Sequence, residues 1–82
     1  MYRPRAGLVV TDLGQELVLL DSASGKMYSL NATGGLVWRH LHDLERARRA
    51  LCEAYAIPPE QAQADVEKLL EHLLRQRLIE DA

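Results

Sequence analysis

The spacing of the apolar residues changes once along this chain, near Asn31, and that change constrains the fold more than any other feature. Before Asn31 the apolar residues form short runs separated by turn-forming residues, which is typical of short β-strands. After Asn31 they recur at intervals of three and four, which is typical of amphipathic helices. The sequence therefore predicts an α+β fold in which a three-stranded antiparallel sheet is followed by three helices.

The predicted strands are joined by short turns, so we expect an antiparallel meander. The strands cover residues 7–11, 16–21 and 26–30, and Gly25 can adopt the positive φ that closes the second hairpin. Residues 1–6 show no periodicity and are expected to form an extended lead-in.

The first predicted helix carries its apolar positions from Leu36 onward, and Asn31 is a suitable N-cap. The second covers roughly residues 44–56 and ends before a pair of prolines, the latter of which can open the next helix. The third, residues 60–77, is the most regular, and residues 78–79 are expected to close against the core before a tail over residues 80–82. Its recurring apolar positions are Ala62, Val66, Leu69, Leu70, Leu73 and Leu74.

Size and composition limit the chain to one small domain. With 82 residues and a mass of 9.3 kDa, residues 1–82 are expected to share a single core. A formal net charge of -2 disfavours nucleic acid and acidic membranes as partners. The lone Cys52 and the lack of an N-terminal apolar run indicate neither export nor membrane insertion, so a cytoplasmic location is expected.

No set of residues has the spacing of a catalytic or metal site. His40 and His42 are two apart on an expected helix, which would point their side chains roughly 200° apart, and His72 stands alone. Gly34-Gly35 lacks the Lys-Ser or Lys-Thr pair of a P-loop, and we expect it to let a turn pass close to the sheet. The sequence therefore predicts a protein without enzymatic activity, metal or cofactor.

A winged-helix DNA-binding protein is an alternative, because three strands and three helices also describe that class. Arginines that are suitable for contacting phosphates lie close together, at Arg39, Arg46, Arg48 and Arg49. The predicted third helix, however, carries four acidic residues against three basic ones, which opposes its entry into the major groove. DNA binding is therefore disfavoured.

An open sheet edge is the most promising binding feature. A three-stranded meander leaves two edge strands, each with unpaired backbone N–H and C=O groups. Either a peptide or a second copy of the chain can pair with such an edge.

The junction of the third strand and the first helix reads Leu30-Asn31-Ala32-Thr33-Gly34, continued by Gly35-Leu36-Val37-Trp38. This pattern resembles the strand-to-helix signature of the PqqD-like family, the recognition elements for precursors of ribosomally synthesised, modified peptides (RiPPs). Many relatives open the second helix with Gly and Thr or Ser, whereas this chain has Asp43-Leu44-Glu45. Less specific similarity extends along nearly the whole chain, at Arg3-Pro4, Leu19-Leu20-Asp21, Gly25, Tyr55, Asp65-Val66, Leu73 and Leu78-Ile79.

The resemblance implies a winged-helix-like domain that binds the N-terminal leader of a precursor peptide. The leader would add a strand to the third strand and lay apolar side chains in a groove beside the third helix. The implied contacts are Met27, Tyr28, Ser29 and Leu30 on the strand and Val66, Leu69, Leu70 and Leu73 on the helix, with Lys68 and Arg75 as charge partners. Core packing alone is an equally open role for Tyr28, Leu30, Val66, Leu69 and Leu73.

Within the family, the chain most resembles the freestanding recognition protein of lasso-peptide pathways. That resemblance implies presentation of the precursor to a leader peptidase and an ATP-dependent cyclase, and leaders that often carry a Tyr-x-x-Pro pattern. A partner of a radical-SAM enzyme in quinone-cofactor biosynthesis is the alternative within the family. A DNA-binding protein and a homodimerisation module are the alternatives outside it.

Overall fold

The computed structural model describes residues 2–81 and has the expected α+β architecture, with a second small sheet added. In chain order the elements are β1 (Tyr2–Pro4), β2 (Leu8–Asp12), β3 (Leu17–Asp21), β4 (Met27–Leu30), α1 (Ala32–Trp38), α2 (Leu44–Tyr55), α3 (Pro59–Arg75) and β5 (Ile79–Asp81). An antiparallel sheet has the order β2-β3-β4, and β1 pairs with β5 in a sheet of two strands. The predicted meander followed by three helices is confirmed.

The predicted lead-in is extended over Tyr2–Pro4, as expected, but it pairs as a strand with the predicted tail, which was not predicted. Strands β1 and β5 run antiparallel, with Tyr2 opposite Asp81. Arg3 and Glu80 form an exposed ion pair across them, with Nε and Oε1 3.4 Å apart. The outermost residues of the two predicted segments lie outside the described residues, namely Met1 and Ala82.

Helix α1 begins at Ala32, four residues before Leu36, where its apolar spacing begins. Asn31 is its N-cap, as expected, and the Asn31 side chain accepts a hydrogen bond from the Gly34 N–H at 2.9 Å. Gly34 and Gly35 therefore lie inside the helix instead of in a turn.

Helix α1 ends at Trp38, so His40 and His42 lie in the turn that follows and not on a helix as predicted. Their ring centroids are 6.4 Å apart. Among residues 2–81 no three His, Cys, Asp or Glu side chains are grouped where they would hold a metal ion. Asp43 then caps α2, and its carboxylate accepts from the Arg46 N–H at 3.2 Å.

One cluster of buried apolar residues joins the sheet, the helices and the start of β5. Leu78 and Ile79 close against it, as predicted, whereas Leu74 is 43% exposed and does not belong to it. The buried residues are Leu17, Leu19, Leu30, Val37, Trp38, Leu41, Ala47, Leu51, Ala62, Val66, Leu70, Leu73, Leu78 and Ile79.

The hairpin that carries β4 is held by Asp21, at the end of β3. Its carboxylate pairs with the Arg5 guanidinium at 2.7 Å and accepts from the Ala23 N–H at 3.0 Å. The hydrogen bond from Arg5 lowers the pKa of Asp21 to about 2. Asp21 therefore remains charged and paired at neutral pH.

Within the described part of the chain, none of the helices has the length and apolar character needed to cross a membrane.

Candidate functional site

Strand β4 is an edge strand, because it pairs with β3 on one side and with no other strand among residues 2–81. It has no proline, and no charged residue lies within it. Proline and charged residues commonly protect an edge strand against pairing with another chain, and β4 has neither. The edge is therefore available for strand addition.

The register of the hairpin determines which backbone groups of β4 face this edge. The Asp21 N–H donates to the Lys26 carbonyl at 2.9 Å, so this pair bonds inward across the hairpin. Inward bonding alternates along an antiparallel pair, so Tyr28 and Leu30 also bond to β3. The N–H and C=O groups of Met27 and Ser29 consequently point to the open side.

A groove lies beyond this edge, between the end of β4, the start of α1 and one side of α3. It consists of two adjoining hollows of about 470 and 420 Å³ that share the residues Asn31, Gly34, Leu69 and His72. We call it the β4–α3 groove. The remaining lining residues are Thr33, Val37, Asp65 and Lys68 in the first hollow and Glu16, Ser29 and Leu30 in the second.

The groove is open at Gly34 because this residue has no side chain. A Cβ atom added to Gly34 would lie 3.3 Å from Leu30 Cβ and 3.4 Å from Asn31 Oδ1. The hydrogen bond that caps α1 also holds the Asn31 side chain at the groove wall. The same residues that start α1 therefore set the width of the groove.

Helix α3 presents two neighbouring stripes of residues, of which one faces the core and one faces the groove. The core stripe contains Ala62, Val66, Leu70 and Leu73. The groove stripe contains Asp65, Lys68, Leu69 and His72, at the i, i+3, i+4 and i+7 spacing of one helix face. The half-buried Leu69 packs against the core cluster while lining both hollows.

The predicted contact residues fall into three groups. Ser29, Leu30, Lys68 and Leu69 line the groove. Met27, 68% exposed, and the half-buried Tyr28 lie on the edge strand outside it. The others do not line it: Val66, Leu70 and Leu73 are buried in the core, and Arg75 pairs with Glu71 at 2.8 Å.

Sequence reasoning missed several lining residues for identifiable reasons. Thr33 and Gly34 were missed as contacts because the apolar spacing of the first helix begins only at Leu36. Val37 lies inside that spacing, and its position beside α3 depends on how the helices pack. Asp65 and His72 follow the helical spacing of Lys68 and Leu69, and this spacing is a signal that the sequence contained. The sequence offered no such signal for Glu16.

Comparison with protein families matches residues 16–79 to the model for coenzyme PQQ synthesis protein D (PqqD). No curated protein sequence matches the chain significantly.

Two solved structures share the fold over nearly the whole chain. TbiB1 in complex with the TbiA(beta) leader peptide is 24% identical, with a TM-score of 0.86 over 98% of this chain and 96% of that one. Lasso peptide synthetase B1, complexed with the leader peptide, is 25% identical, with a TM-score of 0.87 over 98% of each chain.

Proposed function

This chain belongs to the PqqD family, and on that premise we propose that it is a non-catalytic adaptor that binds the leader of a ribosomally synthesised precursor peptide. The observation that carries the proposal is an open β4 edge that continues into the β4–α3 groove. Both similar structures are B1 proteins in complex with leader peptides, which supports the same role for this site.

The leader would first bind as an additional strand beside β4. Met27 and Ser29 offer two N–H and two C=O groups, and about four hydrogen bonds at a net 0.5–1.5 kcal/mol each would contribute ~2–6 kcal/mol. Ordering a flexible leader costs ~2–5 kcal/mol. Because these two amounts nearly cancel, strand pairing would align the leader without selecting its sequence.

The groove would supply the affinity and the selectivity. A micromolar complex requires about -8 kcal/mol, which two or three leader side chains buried at ~1.5–3 kcal/mol each would largely provide. Half-buried Leu69 gives the groove accessible apolar surface, with the buried Leu30 and Val37 behind it, whereas Asp65 and Lys68 give it a polar wall. A leader tyrosine suits this lining, since its ring is apolar and its hydroxyl forms hydrogen bonds.

The predicted residues would contribute in different ways. Met27 and Ser29 would pair with the leader backbone, and Leu30 and Leu69 would contact its apolar side chains. Lys68 would pair with a leader carboxylate. Four of the predicted residues would hold β4 and α3 in position, namely Tyr28 and the buried Val66, Leu70 and Leu73. Arg75, at the C-terminal end of α3, would offer a positive charge to the leader.

We propose that the adaptor presents its leader to a leader peptidase and an ATP-dependent cyclase in the cytoplasm, where the precursor is synthesised. A second candidate is a partner of a radical-SAM enzyme in quinone-cofactor biosynthesis, which the description of the matched family supports. The two candidates use the same site and differ in the precursor. DNA binding is less well supported, because α3 carries four acidic residues against two basic ones.

Leader binding is tested by fluorescence anisotropy with a labelled leader from the precursor encoded beside this protein. We expect saturable binding at tens of micromolar or below. Leu69→Asp should weaken it at least tenfold, because Leu69 lines both hollows. Met27→Pro should weaken it about 2- to 10-fold, since it removes one outward N–H group at the open edge.

Leu74→Asp is the matched control, since it makes the same change on the same helix at an exposed position outside the groove. Its affinity should stay within twofold of the unmodified protein, and circular dichroism should show that all variants are folded. The absence of saturable binding, or equal affinity for Leu69→Asp and Leu74→Asp, would contradict the proposal. The class of leader that binds distinguishes the lasso pathway from the quinone-cofactor pathway.

A further inference from the structure

A separate surface hollow, of about 320 Å³, lies on α2 and the turn before it. We call it the α2 hollow, and it is lined by His40, Arg46, Arg49, Ala50 and Glu53. The lining residues that belong to α2 lie on the side of the helix that faces away from Ala47 and Leu51, which are buried in the core. The α2 hollow shares no lining residue with the β4–α3 groove.

The charge around the α2 hollow is opposite in sign to that of the whole chain. Residues 39–49 contain four arginines and two carboxylates, although the chain has a formal net charge of -2. Two of these arginines are paired, Arg39 with Asp12 and Arg48 with Glu45. The other two, Arg46 and Arg49, have no ion-pair partner among residues 2–81 and both line the hollow.

We propose that the α2 hollow is a second docking site, which takes an acidic segment of a partner protein while the β4–α3 groove holds the leader. Guanidinium groups bind carboxylates through paired hydrogen bonds, and arginine is enriched where proteins meet. The volume of the α2 hollow, about 320 Å³, accommodates one or two side chains. Because Arg46 and Arg49 line it, the side chain that the partner inserts is acidic. That this partner is the enzyme that processes the leader rests on the proposed function.

Glu53 determines which kind of acidic partner fits. It is exposed, lines the hollow and has no ion-pair partner among the residues that the structure describes. A continuous row of phosphates that reached both arginines would also place a phosphate beside this carboxylate, because all three side chains line the same hollow. An acidic protein segment avoids that repulsion by directing its carboxylates to the arginines, so a protein is favoured over nucleic acid.

The test uses a fluorescein-labelled peptide of six glutamates, with a Gly-Ser hexapeptide and a 12-base-pair DNA duplex as comparison ligands. We expect saturable, salt-sensitive binding of the glutamate peptide and none of the Gly-Ser peptide. The double variant Arg46→Ala/Arg49→Ala should bind at least fivefold more weakly. Glu53→Gln should bind at least twofold more tightly, because it removes the repulsive charge.

Arg3→Ala is the matched control, since it removes an arginine on β1 outside the hollow, and its affinity should stay within twofold. A saturating leader should leave binding of the glutamate peptide unchanged, and the double variant should bind the leader normally. Equal affinity of the double variant and the unmodified protein for the glutamate peptide, or no saturable binding of this peptide, overturns the proposal. Tighter binding of DNA through the same arginines also overturns it.

The two proposals fail separately. If the unmodified protein binds no leader, the proposed function fails, while the glutamate titration still reports on the α2 hollow. If the double variant loses leader binding while remaining folded, these arginines belong to the leader site and the inference of two separate sites is wrong.

Discussion

Gly34 and Gly35 are adjacent in α1 but differ in the space available for a side chain. A Cβ atom on Gly34 would approach Leu30 Cβ to 3.3 Å, and Gly34 lines the β4–α3 groove. A Cβ atom on Gly35 would lie 3.5 Å from both Leu17 Cγ and an Arg39 guanidinium nitrogen, which is ordinary van der Waals contact. Packing therefore restricts Gly34 more than Gly35.

Gly35→Ala should stabilise the protein by about 0.5–1 kcal/mol, because alanine loses less conformational entropy than glycine in a helix and the space accepts its methyl group. Gly34→Ala should give a smaller gain or a loss, and should weaken leader binding by narrowing the groove. Urea denaturation measures the first effect and a leader titration the second. Equal stability changes in the two variants would contradict this distinction.

Helical spacing predicts which residues of α3 face the rest of the protein, but not which of them line the groove. Helical spacing together with the family resemblance selected Val66, Leu69 and Leu73, and Lys68 beside them. The spacing did not separate the core stripe from the groove stripe, because the two stripes adjoin and both contain leucine. The assignment of Leu69 to the groove and of Leu73 to the core depends on where α1 and β4 pack.

Among the elements, the junction of β4 and α1 connects the fold to the site. Asn31 follows the last residue of β4, caps α1 and lines both hollows of the groove. Asp43 caps α2 with the same type of hydrogen bond but lines neither hollow. The two N-caps are therefore the same type of interaction, but only the Asn31 cap forms part of the groove.

Asn31→Ala and Asp43→Ala should each lower the free energy of unfolding by about 0.5–2 kcal/mol, the usual cost of losing an N-cap. Asn31→Ala should also weaken leader binding severalfold, because the first turn of α1 forms part of the groove. Asn31→Ser should recover much of both losses, since serine is also an N-cap residue. If Asp43→Ala weakens leader binding as much as Asn31→Ala does, the cap has no specific role in the groove.

Some elements were not predictable from local sequence. Gly34 and Gly35 were predicted to form a turn and not part of α1, because glycine has low helix propensity and the apolar spacing begins at Leu36. Strands β1 and β5 have only three residues each, which is too short for a periodic pattern. They pair because the rest of the fold brings the two ends of the chain together.

In the molecule as a whole, the β4–α3 groove joins parts of the chain that are far apart in sequence. Ser29 belongs to the hairpin and His72 to the last helix, yet both line the same hollow. A ligand that binds across them requires the sheet and α3 to be folded against each other. Leader binding should therefore stabilise the entire domain instead of one element.

The expected stabilisation follows from the linkage between binding and folding. At a leader concentration of 100 times Kd, the free energy of unfolding should increase by about 2.7 kcal/mol. For a domain of this size, 1 kcal/mol corresponds to ~4–8 °C in Tm, so the leader should raise Tm by ~10–20 °C. Leu74→Asp should show the full shift at the same leader concentration, and Leu69→Asp, with at least tenfold weaker binding, should show about half of it or less. A leader that binds by anisotropy but leaves Tm unchanged would mean that it binds the unfolded chain as tightly as the folded domain, which would contradict a site that only the folded domain forms.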